Sequence, residues 1–162
     1  MSLSARRICL RFILFGGLGL IFEVCFGAVW GLKNGDWNLR GSSSLWMIFD
    51  YGLLGVALLP IARPLIRRKI PLPLRAVVYM AGFFTVEFVS GWLFERCGLH
   101  IWSYRSLPYN LCGYIALMYV PIWYGVGLVA EYLYRKIDAF ALVLAAGLDA
   151  PEIESVQNRQ NS

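Results

Sequence analysis

The chain has 162 residues, the length of one domain, with 59% hydrophobic residues and only 15% charged ones, against roughly 25% charged in a soluble domain. That composition excludes a solvated globule. It also excludes a nucleic-acid binder, although the formal net charge is +5, because the basic residues cluster where they suit a membrane surface rather than a phosphate groove.

Four apolar stretches read as membrane-crossing helices, at about 12–32, 45–62, 76–94 and 114–134. Each is close to the ~20 residues that span a ~30 Å hydrocarbon core, where backbone must satisfy itself as helix. The basic start of the first resembles a signal peptide. However, its apolar run exceeds the usual 7–15 residues, contains Glu23 and lacks an Ala-x-Ala-like exit, so it is read as a retained helix. Gly19, Glu23, Gly27 and Gly31 recur every four residues along it and form one stripe. Glycines at this spacing serve close helix packing, whereas Glu23 lies near the middle of the span.

The first outer loop, 33–44, carries Trp37, an interfacial anchor by position, and Arg40, a candidate partner for a carboxylate within the bundle. The second helix holds Asp50, Tyr51, Gly52 and Gly55 and is expected to end at Pro60 and Pro64. Asp50 suits a water-exposed or Arg40-paired role as well as a chemical one. A basic connector, 63–75, then leads to the third helix, in which Glu87 interrupts an apolar run. An ionisable group at that depth costs a few kcal/mol and usually faces the bundle interior with a task, at roughly 2.5–3.5 kcal/mol for the dearest residues.

The second outer loop, with Trp102, Tyr104 and Asn110, is rich in aromatic and hydrogen-bonding side chains. In the fourth helix Pro121 implies a kink, either packed or lining a cavity. Glu131 and Arg135 suit an i,i+4 pair. The apolar segment 139–148 is too short to span and is expected to lie along the interface, followed by a polar, disordered tail. The domain division is therefore a four-helix transmembrane domain, 1–137, and an interfacial segment with a polar tail, 138–162.

Orientation follows from the basic residues. Arg6, Arg7, Arg11, Arg63, Arg67, Arg68, Lys69, Arg75, Arg135, Lys136 and Arg159 fall on one side, against Lys33, Arg40, Arg96 and Arg105 on the other. The positive-inside rule puts both termini in the cytoplasm of a multi-pass cell-membrane protein. Cys97 and Cys112 flank the second outer loop and form a candidate disulfide, whereas Cys9 and Cys25 read as buried small residues. With His100 the only histidine and no cysteine cluster, no metal site or cofactor is expected.

The two halves echo each other. Glu23-x-x-x-Gly27 matches Glu87-x-x-x-Gly91, each followed at similar spacing by a tryptophan (Trp37, Trp102); beyond it a glycine (Gly41, Gly113) precedes a Tyr-Gly pair (Tyr51-Gly52, Tyr124-Gly125) at similar spacing, and only the second outer loop is longer. The expected fold is all-α, a four-helix polytopic bundle of two similar hairpins, with both glutamates at similar depth.

Glu23, Arg40-Gly41, Tyr51-Gly52, Glu87-x-x-x-Gly91, Trp102-x-Tyr104, Asn110-x-x-Gly113 and Trp123-x-Gly125, in that order, resemble the CmpB-like family of putative type IV ABC transporter permeases, which includes the animal transmembrane protein 229 proteins. The resemblance covers roughly 16–136, and departs from the family's usual Trp-Asp-Tyr at Trp102-Ser103-Tyr104. It implies a transport role, with partner membrane subunits or a homo-oligomer. No Walker-type loop is present, so no ATP binding is expected of this chain. Two readings follow. In the first, Glu23 and Glu87 form a midplane site for a proton or cation, with Arg40, Trp102, Tyr104 and Asn110 shaping its outer mouth. In the second, the chain is a non-transporting scaffold or accessory subunit and the glutamates are structural. An enzyme is the weakest reading, for want of a nucleophile or metal cluster.

Overall fold

The computed structural model describes residues 1–161. Helix α1, Leu3–Lys33, begins at the Ser2 N-cap, whose side chain accepts a hydrogen bond from the Ala5 N–H. Arg6, Arg7 and Arg11 therefore ride on the helix instead of preceding it. At 31 residues, α1 is about 46 Å long. Helices α2, Met47–Arg67, and α3, Leu72–Arg96, follow. All three are long and apolar enough to cross a membrane.

The second outer loop is built. Strands β1, Asn110–Leu111, and β2, Ile115–Ala116, pair antiparallel. The intervening turn places Cys112 and Gly113 at φ of 56° and 78°, a left-handed region that favours glycine at the second position. A 3₁₀ turn, Leu117–Tyr119, leads into α4, Val120–Ala146, and α5, Ala150–Asn161, closes the described chain.

Several boundaries differ from those expected. Pro60 and Pro64 lie inside α2, which continues to Arg67. Pro121 stands in the first turn of α4, where its missing N–H is not needed, so it starts the helix and does not kink it. Tyr114 to Tyr119 belong to the hairpin and 3₁₀ turn. The segment 139–148 is largely the continuation of α4, and the polar tail is helical as α5.

The most extensive helix contacts join α1 to α2, α3 to α4 and α1 to α4, while α2 and α3 meet sparsely. One apolar core, with Phe15, Leu58, Tyr79, Phe83, Ala130 and Tyr134, draws on all four long helices. Elsewhere large apolar side chains such as Ile13, Ile21, Leu53, Val89 and Val129 face outward, as lipid permits. Close helix approach depends on Gly55 of α2, where a Cβ would stand 2.7 Å from the Arg11 carbonyl oxygen, and on Gly127 of α4, where it would stand 2.8 Å from that of Ala76. Those obstacles are backbone and cannot rotate away. Gly127→Val is expected to cost about 1–3 kcal/mol through overpacking, read as a lowered unfolding temperature. Gly17→Val, with nothing within 4 Å, is the matched substitution that leaves it unchanged.

Two ion-pair clusters fasten the end of the bundle opposite the loops. Arg7 and Arg11 of α1 both bond Asp138 of α4, Arg11 at 2.8 Å. Arg75 of α3 grips Glu131 of α4 at 2.7 and 3.0 Å, and the Tyr79 hydroxyl donates to the same carboxylate at 2.6 Å. Arg135, the partner expected for Glu131, lies farther off at 3.8 Å.

Candidate functional site

The glycines next to the two glutamates admit the loops and side chains that bond them. Gly19 leaves room for the Tyr51 ring, whose hydroxyl donates to Glu23 Oε2 at 3.0 Å. Gly41 lies against the Val24 backbone and beside Gly27. The first loop thus descends far enough for the Ser43 hydroxyl to donate to the same oxygen at 2.8 Å. Gly91 does the same for the second loop, since a Cβ there would meet Trp102 at 3.1 Å and Tyr114 at 3.2 Å. Small residues at these positions serve loop insertion as well as helix contact.

The second loop holds Tyr104 over Glu87. Trp102 Nε1 donates to the Tyr114 carbonyl at 2.9 Å, and the Tyr104 N–H to the Gly113 carbonyl at 2.8 Å. Asn110 braces the turn, accepting from the Gly113 N–H at 3.0 Å and donating to the Leu107 carbonyl at 2.7 Å. So positioned, the Tyr104 hydroxyl donates to Glu87 Oε1 at 2.9 Å. The other oxygen, Oε2, is buried without a hydrogen bond among the described residues, although the Trp123 indole interacts electrostatically with the carboxyl. Glu87 as a whole is 9% exposed. A third carboxylate, Asp50 of α2, accepts from the Ser90 hydroxyl at 2.8 Å, but the same hydroxyl lies 2.7 Å from the Val86 carbonyl. With one proton it serves only one of them at a time.

Glu23, Asp50 and Glu87 line one cavity of about 370 Å³, with Trp102, Tyr104, Tyr119 and Trp123 at the loop end. No hydrogen bond joins the glutamates to each other among the described residues. The cavity wall contains neither lysine nor arginine. Here lies the contrast within the molecule: Glu131 and Asp138 each have an arginine partner, whereas the three cavity carboxylates have none among the described residues.

Of the residues expected to shape an outer mouth, Trp102 and Tyr104 line the cavity. Asn110 acts through the turn, and Arg40 is exposed, forming no ion pair with Asp50 or any other described carboxylate. Trp37, 83% exposed, does not correspond in place to Trp102. Cys97 and Cys112 stand as free, exposed thiols instead of a bridge, and Cys9 and Cys25 are exposed too. Ser103, at the departure from Trp-Asp-Tyr, is exposed. The arginine partner of Glu131 and the Ser90–Asp50 bond had no signal in the sequence, because both depend on how separate helices rotate against each other.

Three helices long and apolar enough to cross a membrane, together with the family match, make this a transmembrane protein of transport type. The chain belongs to the family described as Putative ABC-transporter type IV (ABC_trans_CmpB), whose model matches residues 10–147. No solved structure matches the chain.

Proposed function

We propose that this chain is a membrane-embedded transport component in which α1 to α4 all cross the bilayer, both termini are cytoplasmic, and the cavity binds a proton or cation at Glu23, Asp50 and Glu87. The observation that carries the reading is the missing counter-charge: three carboxylates share a cavity in which no basic residue answers them. Like charges in a low-dielectric site do not all ionise without a bound positive species. The acids on α4 do not oppose a fourth span, since Glu131 and Asp138 are neutralised by Arg75, Arg7 and Arg11, and its exposed Arg135 and Lys136 then stand toward the cytoplasmic side. Without a Walker-type loop, any ATP hydrolysis belongs to a partner subunit.

The scaffold reading draws on the donors that Glu23, Asp50 and Glu87 already have in Ser43, Tyr51, Ser90 and Tyr104. Flux of protons or monovalent cations into liposomes separates the two. The transport reading expects flux that falls when Asp50→Asn or Glu23→Gln is introduced. Absence of flux from the folded parent supports the scaffold.

Orientation is tested with Ser42→Cys and Ser106→Cys in a background free of the four native cysteines. An impermeant thiol reagent is expected to label both in intact cells. Labelling only after permeabilisation overturns cytoplasmic termini.

A further inference from the structure

The cavity is acidic at one end only. Glu23, Asp50 and Glu87 gather under the loops, whereas Ala57, Leu58, Ile61, Val78, Gly82 and Tyr79, whose hydroxyl is engaged by Glu131, line the opposite part. Along α2 the distance from Asp50 to Ile61 is about 16 Å, at 1.5 Å per residue. A bare metal ion or a proton would use the acidic end and leave that apolar length without a role. Aromatic rings surround the acidic end, from Phe26, Tyr51, Trp102, Tyr104, Tyr119 and Trp123, which suits an organic cation in a desolvated site. The volume, about 370 Å³, falls in the range of small-molecule sites, roughly 300–1,000 Å³. Entry is lateral: α2 and α3 touch sparsely, and the lining residues Leu53, Ile61 and Val78 are each about two-fifths exposed on a face that lipid would cover.

Resting on the cation-site reading above, we infer that the occupant is an amphipathic amine, with a protonated nitrogen seated among Glu23, Asp50 and Glu87 and an apolar chain lying between α2 and α3. Charge complementarity fixes the sign of the head, because the lining holds three acids and no base. Glu87 Oε2 fixes its type. It is a buried acceptor that makes no hydrogen bond among the described residues, with the Trp123 indole beside its carboxyl, and an N–H of an ammonium group supplies that bond once the carboxyl turns toward the cavity. A quaternary head has no such proton to give. The polarity gradient and the side opening fix the apolar body, which enters from the bilayer without crossing water.

The test uses the full chain in nanodiscs of phosphatidylcholine and labelled dodecylammonium, with empty nanodiscs subtracted for partitioning into lipid. Saturable binding is expected, displaced at least about tenfold less effectively by dodecanol, which has the tail without the charge, and by methylammonium, which has the charge without the tail. Dodecyltrimethylammonium is expected to compete more weakly than unlabelled dodecylammonium. Glu87→Gln is expected to weaken binding about tenfold or more, and Asp50→Asn provides the same reading if that variant fails to fold. Equal competition by dodecanol, or affinity unchanged in the folded carboxylate variants, overturns the inference. Cation or proton flux that depends on Asp50 and Glu23 while dodecylammonium fails to bind overturns the substrate class and leaves the cation site standing. Neither flux nor ammonium binding defeats both.

Discussion

Glu131→Gln is expected to lower stability by about 3–5 kcal/mol, the cost of breaking a buried pair by removing one partner. Arg75 and Glu131 side chains are only 15% and 9% exposed, and their contact joins the start of α3 to the middle of α4. The amide keeps the shape and one acceptor for Tyr79, but leaves the guanidinium of Arg75 without its counter-charge. Removing both charges together with the tyrosine hydroxyl, as Arg75→Met, Glu131→Leu and Tyr79→Phe, is expected to recover most of the loss, because no uncompensated ion or orphan hydroxyl then remains. Unfolding of purified protein followed by tryptophan emission measures both changes. A single Glu131→Gln variant within about 1 kcal/mol of the parent would show that water already screens this pair.

The same pair explains where the sequence was readable and where it was not. Long apolar runs locate α1, α2 and α3 within a few residues at their loop ends, because lipid demands helix wherever such a run is long enough. Glu23 and Glu87 stand out for a related reason, being ionisable groups in runs that otherwise have none. The fourth helix was displaced because composition alone does not separate Tyr114–Tyr119 from a span. Only the hairpin, with its left-handed pair Cys112–Gly113, shows that these residues cap the site. Its far end was truncated for the opposite reason. Arg135 and Lys136 read as an exit from the membrane, whereas α4 continues to Ala146 and its Asp138 is neutralised by Arg7 and Arg11, far away in sequence. Arg40 attracted attention as a charge without a partner and proved to be exposed, whereas the acid it was offered, Asp50, found Ser90 on α3. Pairings of that kind depend on helix rotation, which spacing along one chain does not encode.

Glu87→Gln is expected to reduce cation flux at least about tenfold while changing stability by no more than about 1 kcal/mol. The two readouts separate because of the geometry. The amide oxygen still accepts from the Tyr104 hydroxyl, as Oε1 does at 2.9 Å, so the loop remains docked on α3. At the other oxygen nothing is lost, since Oε2 has no hydrogen-bond partner to lose. What disappears is the negative charge and the capacity to take up a proton. Tyr104→Phe gives the complementary change. It removes the donor and leaves the charge, so the carboxylate keeps only the Trp123 indole as a donor among the described residues and stability should fall by about 1–3 kcal/mol. Coupling follows from the shared cavity: the double variant Glu23→Gln, Glu87→Gln should differ from the sum of the single stability changes by about 0.5 kcal/mol or more, because each removed charge relieves repulsion on the other. Strict additivity would mean that the two glutamates do not sense each other. Full flux in Glu87→Gln would leave Glu87 a structural residue, held by Tyr104 and outside the path of any ion.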